Sequence, residues 1–207
     1  MPAVSLPELI AAARSGNHLI SFPTDTVPAL ATRPDRSRLI FEAKQRSQTK
    51  PLILMGADIA DLWQYIQGSK AEREIWQQVA ANYLPGALTL VLPANDRLPP
   101  EVNPTDPTTI GIRVPDSAIA RHILSLTAPL ATTSVNRSGQ PPLETIAEIN
   151  AQFSEVLTLS LEELNALERE LGGDRPLPPS AGIPSTVAKW TDKGWEILRQ
   201  GSVKFEG

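Results

Sequence analysis

Two spacings of apolar residues run along the chain. Helical spacing places Leu9, Ile10 and an alanine run after Ser5-x-x-Glu8, a capping-box pattern that predicts a first helix ending at Ser15-Gly16. His18 to Phe22 is a strand-length apolar run, and Pro23 to Asp35 is polar enough to be expected as a loop. Leu39, Ile40 and Ala43 share one face of a predicted helix over Arg36 to Gln45. A short strand is expected over Pro51 to Met55, then helices over Asp58 to Ile66 and Ala71 to Tyr83, the second prefaced by Ser69-x-x-Glu72. Pro85-Gly86 breaks the pattern before the strand Ala87 to Leu92.

The five prolines between Pro93 and Pro107 predict a surface loop with a disordered tip. Strands are then expected over Thr109 to Val114 and Pro129 to Ser134, separated by a helix capped by Asp116 and carrying Ile119, Ile123 and Leu126. Thr145-x-x-Glu148 and Ser160-x-x-Glu163 open two further helices. The second carries Leu161, Leu164, Leu167 and Leu171 at helical spacing and is stopped by Gly172-Gly173. Ser185 to Trp190 and Trp195 to Arg199 form a terminal hairpin pattern. Strands interleaved with helices and closed by a hairpin predict an α/β fold with an open mixed sheet, and 207 residues suit one domain over 1–207.

Composition narrows the chemistry. With no cysteine, disulfides, thiolate metal sites and cysteine nucleophiles are excluded. His18 and His122 stand in no metal-ligand pattern. No apolar run approaches the roughly 18 residues of a membrane span, and Met1 to Glu8 lacks the regions of a signal peptide, so a cytoplasmic protein with no membrane contact is expected. The net charge of −4 weighs against non-specific nucleic-acid binding as the main function. Yet Ala31 to Lys50 holds six cations (Arg33, Arg36, Arg38, Lys44, Arg46, Lys50) against two acids. That segment is a candidate anion site, although a solvated helix face has the same composition. Neither G-x-x-x-x-G-K-[ST] nor G-x-G-x-x-G is present. Three polar segments follow apolar elements: Pro23-Thr24-Asp25-Thr26, Lys44-Gln45-Arg46 with Lys50, and Ser134-Val135-Asn136-Arg137-Ser138-Gly139. Loops at strand ends are where α/β folds place ligands, and this set suits a substrate carrying both phosphate and small polar groups.

At these residues the chain resembles the YrdC family of threonylcarbamoyl-AMP synthases. The resemblance rests on Phe22-Pro23-Thr24-Asp25-Thr26-Val27, Lys44-Gln45-Arg46 with Lys50-Pro51-Leu52, Pro85-Gly86-Ala87-Leu88-Thr89-Leu90, Gly111-Ile112-Arg113-Val114-Pro115-Asp116, the Ser134 to Gly139 loop, Ser185-Thr186-Val187 and Ile197-Leu198-Arg199. It implies a twisted open sheet with a concave basic surface, and an enzyme joining L-threonine, bicarbonate or carbon dioxide, and ATP into threonylcarbamoyl-adenylate with release of pyrophosphate. Magnesium would accompany the ATP, and the product would pass to the proteins that modify tRNA. Carried over by motif, Lys44, Arg46, Ser134 and Asn136 would be catalytic. Arg46, Lys50, Thr109, Asn136 and Arg199 would contact ATP. Thr24, Thr26, Met55, Arg113, Ser134 and Ser185 would hold threonine, with Arg113 on its carboxylate. The chain departs from the family pattern at Pro28-Ala29-Leu30, Ser47 and Pro141-Pro142-Leu143-Glu144, and its acidic helix followed by Pro176-x-Pro178-Pro179 is longer than the usual connection. A YciO-like paralogue with a different or no synthase activity, and a weak RNA contact, are the competing expectations.

Overall fold

The computed structural model describes residues 3–172 and 180–206. Their centre is a single ten-stranded sheet. The strands are β1 (Ala3–Val4), β2 (Leu19–Phe22), β3 (Ala29–Thr32), β4 (Ile53–Met55), β5 (Leu88–Pro93), β6 (Thr109–Arg113), β7 (Leu130–Ser134), β8 (Val156–Leu159), β9 (Thr186–Thr191) and β10 (Gly194–Arg199). They lie in the order β1-β8-β2-β3-β7-β4-β6-β5-β9-β10. Parallel pairing (β1/β8, β2/β8, β4/β6, β5/β9) mixes with antiparallel pairing, so the mixed α/β sheet expected from the sequence is present.

Seven helices flank it among the described residues: α1 (Leu6–Ser15), α2 (Arg38–Lys44), α3 (Ala60–Trp63), α4 (Lys70–Tyr83), α5 (Ala118–Thr127), α6 (Ile146–Gln152) and α7 (Leu161–Gly172). The capping boxes at Ser5/Glu8, Ser69/Glu72 and Thr145/Glu148 form as the sequence predicts. Each carboxylate accepts from the N-cap amide, and the Ser69 and Thr145 hydroxyls accept from the Glu72 and Glu148 amides, which the first helical turn leaves without partners. The helix α5 is capped by Ser117 and not by Asp116, because the Ser117 hydroxyl accepts from Ala120 N. On α7, Leu164, Leu167 and Leu171 face the core while Leu161 is 66% exposed. Its carboxylate Glu163 accepts from Leu6 N at 3.1 Å, tying α7 to the start of α1. The Gly173 stop and Pro176-x-Pro178-Pro179 lie outside the described residues.

Several expected elements are corrected. The supposed loop Pro23 to Asp35 contains β3, whose four residues are all buried and which pairs with both β2 and β7. Neither β1 nor β8 was anticipated. The helix expected over Asp58 to Ile66 is one turn, α3. The proline-rich loop is pinned at its tip, with Leu98 and Val102 buried and Leu52 N donating to Val102 O at 3.0 Å.

The helices cover the two faces of the sheet unequally, and this difference creates the site. On one face α2, α3, α4 and α6 bury Leu30, Leu54, Ile112, Leu90 and Ala188 along almost the whole width. On the other, α1, α5 and α7 pack over Ile20, Phe22, Ala29 and Ala31, with the cover reaching as far as Met55. The strands β7, β4, β6, β5 and β9 are left with an uncovered floor, about 19 Å wide at about 4.8 Å per strand.

Candidate active site

The floor residues follow from register. Thr132, Ile53, Gly111, Val91 and Lys189 are successive cross-strand partners and therefore present side chains to one face. All five line a cavity of about 440 Å³. Gly111 sits at its middle, where an added Cβ would come within 2.9 Å of Ile53 Cγ2 and 3.1 Å of Thr89 Cγ2, so the close floor requires glycine.

The cavity also receives Thr26, Arg46, Met55, Thr109, Arg113, Ser134, Ser185 and Arg199, eight of the residues expected from sequence. Arg113 is 4% exposed and anchored through all three of its nitrogens. Its Nε donates to Gly86 O, Nη1 to Thr26 Oγ1 at 2.8 Å, and Nη2 to Asp25 Oδ1 at 2.6 Å. Burial pulls its pKa down while the adjacent Asp25 carboxylate opposes that fall. The Asp25 turn is fastened in turn by Ala181 N to Asp25 O and Gly182 N to Thr26 O, which bring the chain before Ser185 against it.

Arg46 and Arg199 are held differently. Arg46 donates to the carbonyls of Lys50 and Pro51, and Arg199 donates through Nε and Nη2 to Ser185 O at 3.1 and 2.7 Å. Neither has a carboxylate within 4 Å among the described residues. Burial lowers both pKa values, and Arg199 lowers that of Arg46 further. Two guanidiniums are thus oriented by backbone carbonyls, which position a fork without neutralising it.

Arg199 reaches the cavity face because of a bulge. Glu196 pairs with Lys189 and Ile197 with Ala188, but Arg199, not Leu198, pairs with Val187. Were the same strand paired without a bulge, Leu198 would oppose Val187 and Arg199 would fall on the opposite face. There Trp190 and Trp195 pack edge-on with ring centroids 5.2 Å apart, Trp76 meets Trp190 at 6.0 Å and Phe205 meets Trp195 at 5.6 Å. This aromatic layer anchors the hairpin whose other face carries Lys189 and Arg199.

Four expected residues lie outside the lining. Thr24 is buried in its own turn, donating to Val27 O at 2.7 Å and accepting from Thr26 N. Lys50 is exposed beyond the cavity. Asn136 spends both amide protons on Arg137 O and Gln140 O, and its Oδ1 accepts from Ser134 Oγ and Lys44 Nζ. Lys44 is 1% exposed, with its ammonium turned onto the Ser134 to Asn136 backbone. The cationic segment is thus divided: Arg33 pairs with Asp35 and Arg38 with Glu42 at the surface, and of its six cations only Arg46 lines the cavity. Sequence reasoning missed Lys189, Thr89 and Asp106. Lys189 was detectable, because it follows Ser185 and Val187 at period two. The Glu144 carboxylate is exposed beside Gly182, in the turn before the Thr145 cap.

A family model for Sua5, YciO and YrdC proteins, described as telomere recombination, matches residues 12–201. The chain belongs to the Sua5/YciO/YrdC family. Among relatives in this family, it is 32% identical over 173 residues to the threonylcarbamoyl-AMP synthase of Chromohalobacter salexigens, covering 81% of this chain and 86% of that one. The Bacillus subtilis threonylcarbamoyl-AMP synthase is 33% identical over 195 residues, 92% of this chain. Sua5 of P. abyssi, solved in complex with L-threonine, superposes with a TM-score of 0.76 at 28% identity over 95% of this chain. The chain spans about half the length of those last two proteins, 51% and 54%. YciO of E. coli shares the fold, with a TM-score of 0.71, 22% identity and coverage of 95% of this chain and 88% of its own.

No group of three or more His, Cys, Asp or Glu able to hold a metal occurs among the described residues, and Asp106 is the sole carboxylate lining the cavity. A magnesium cage built by the protein does not fit these residues. No described helix is long and apolar enough to cross a membrane.

Proposed function

We propose that this chain is a threonylcarbamoyl-AMP synthase, a nucleotidyltransferase acting in the cytoplasm through one domain over 1–207. The observation that carries the reading is the pair Arg46 and Arg199, aimed into a cavity and held by neutral oxygens, the carbonyls of Lys50, Pro51 and Ser185 and the Ser185 hydroxyl. Such uncompensated charge suits a polyphosphate. Threonine and bicarbonate or carbon dioxide supply a carbamate whose oxygen attacks the α-phosphorus of ATP, breaking the bond to the leaving pyrophosphate. The protein's task is alignment and stabilisation of negative charge, with no covalent nucleophile.

In this reading Arg46, Arg199, Thr109 and, from outside the lining, Lys50 contact ATP, with Asn136 contributing through its loop. Arg113 meets the threonine carboxylate using the guanidinium protons that Asp25, Thr26 and Gly86 leave over. Thr26, Ser134, Ser185 and Met55 surround the rest of that substrate, and Thr24 shapes the Thr26 turn. Magnesium arrives with the phosphates of ATP. The product feeds threonylcarbamoyl transfer to tRNA by partner proteins. The test is mass spectrometry of products from ATP, L-threonine and bicarbonate. An adenylate containing both small substrates, with pyrophosphate release dependent on each, is expected. Threonine-independent turnover, or none from folded protein, would overturn the reading in favour of a paralogue.

A further inference from the structure

Lys44 is the least expected group in the molecule. A fully buried lysine is ordinarily matched by a carboxylate, since an unpaired ammonium in the interior is costly. Among the described residues none lies within 4 Å of Lys44. Its Nζ instead donates to Ser134 O, Asn136 O at 2.6 Å and Asn136 Oδ1 at 2.9 Å, three acceptors for three protons. The contact is reciprocal, because Ser138 N donates to Lys44 O at 3.2 Å and the Arg137 guanidinium donates to Ala43 O. Thus the last turn of α2 and the loop after β7 are fastened in both directions. Within the loop, Ser134 Oγ donates to the same Asn136 Oδ1 at 2.6 Å. Ser134 lines the cavity, whereas Lys44 does not.

We propose that Lys44 is a positioning residue: its ammonium gathers three oxygens of Ser134 and Asn136, so that the Ser134 hydroxyl and the loop backbone face the cavity in one arrangement, and it touches no substrate. The inference concerns the site of the proposed function and rests on that reading for its catalytic consequence only. The latch itself belongs to the free protein. The charged groups around Lys44 are Arg46 at its own helix end and Arg137 in the loop. The facing strands β3 and β7 carry no ionisable side chain. Burial, followed by the Arg46 charge, pushes Lys44 down to about 7. A neutral amine has two protons for three acceptors, so the latch loses a donor as pH rises past neutrality.

Hydrogen exchange of the full chain without substrates tests the latch, with Lys44→Met (no donors) and Lys44→Gln (two donors, no charge) beside wild type. Residues 134–140 in Lys44→Met are expected to exchange at least tenfold faster, with α4 and β5 unchanged and Lys44→Gln intermediate. Calorimetric titration with ATP should show that Lys44→Gln retains most affinity with an unaltered salt dependence. Loop protection unchanged in both variants would overturn the proposal. So would an equal tenfold or greater loss of ATP affinity in both with a flattened salt dependence, which would mark a direct charge on the nucleotide. Should Lys44→Met not fold, Asn136→Ser removes the shared acceptor from the other side, and protection of 134–140 unchanged in it would equally refute the latch. A wild-type protein that makes no adenylate leaves the exchange result standing, so failure of the latch and failure of the synthase reading are told apart.

Discussion

Replacing Arg199 with methionine keeps a long side chain against Leu198 and Val187 while deleting the guanidinium. In the free protein two effects oppose each other. Ser185 O loses its Nε and Nη2 donors, and leaving such an acceptor unmade costs about 1 to 3 kcal/mol. Against this, Arg199 is a like charge to both Arg46 and Arg113 and lowers the pKa of each. Removing these repulsions gains on the order of 1 kcal/mol, between the surface-pair and bulk-water limits of Coulomb's law. Stability should therefore change by no more than about 2 kcal/mol. Nucleotide binding has no such compensation. A lost hydrogen bond to a charged phosphate is worth about 1.5 to 3 kcal/mol, a weakening of roughly 10- to 150-fold. Titration calorimetry with ATP, paired with urea unfolding of the same samples, measures both numbers. Unchanged ATP affinity in a variant of near wild-type stability would refute the reasoning and reduce Arg199 to a strand-edge residue.

Three further outcomes are expected. Asp25→Asn removes the partner of a guanidinium that is 4% exposed, and stranding that charge should destabilise the fold by about 3 to 5 kcal/mol in urea unfolding; a loss below about 1 kcal/mol would mean that Gly86 O and Thr26 Oγ1 suffice. Lys44 is pushed down to about 7, so between there and its ordinary value of 10.5 the unfolded chain holds a proton that the fold has shed. Its penalty on the fold, on the order of a few kcal/mol, must be full and constant below about 7 and be relieved as pH rises across that window, so stability rises there; a Lys44→Met variant with the same pH slope would contradict this. Glu144→Thr, at an exposed turn position, should leave the Michaelis constant for ATP nearly unchanged, and a tenfold improvement would place that carboxylate against the nucleotide.

The sequence was most legible where a local pattern has a local cause. Capping boxes, the terminal hairpin and the long amphipathic helix α4 involve neighbours three or four residues apart, or a short turn, and all formed. It was least legible where a segment takes its structure from distant partners. Ala29-Leu30-Ala31-Thr32 has weak strand propensity and follows a proline, yet pairing with β2 and β7 makes it a central strand. Val156–Leu159 is likewise a strand because β1 and β2 lie on either side. The same division holds for the site. Arg46, Arg113 and Arg199 were found as residue types, but the partners that make one neutralised and two not are 14 to 88 positions away or on backbone atoms. Lys44 reads in the sequence as one more cation of the Ala31 to Lys50 segment, because charge is visible in a sequence and burial of that charge is not.

The bulge at Leu198 decides which length changes the β9–β10 hairpin can absorb. In an evenly paired hairpin, a residue added or lost in the turn slides both strands together and can be absorbed at the solvent end. Here the extra residue is Leu198 itself, so deleting it would restore a regular ladder with Arg199 still opposite Val187 and still on the cavity face, whereas re-pairing the intact strand without the bulge would turn Arg199 to the opposite face. Grafts, tags and loop exchanges are therefore best placed at the Thr191–Gly194 turn, upstream of the parity change. A related chain carrying a one-residue gap at this point would keep its arginine opposite Val187, so such a gap removes the bulge and not the cavity cation.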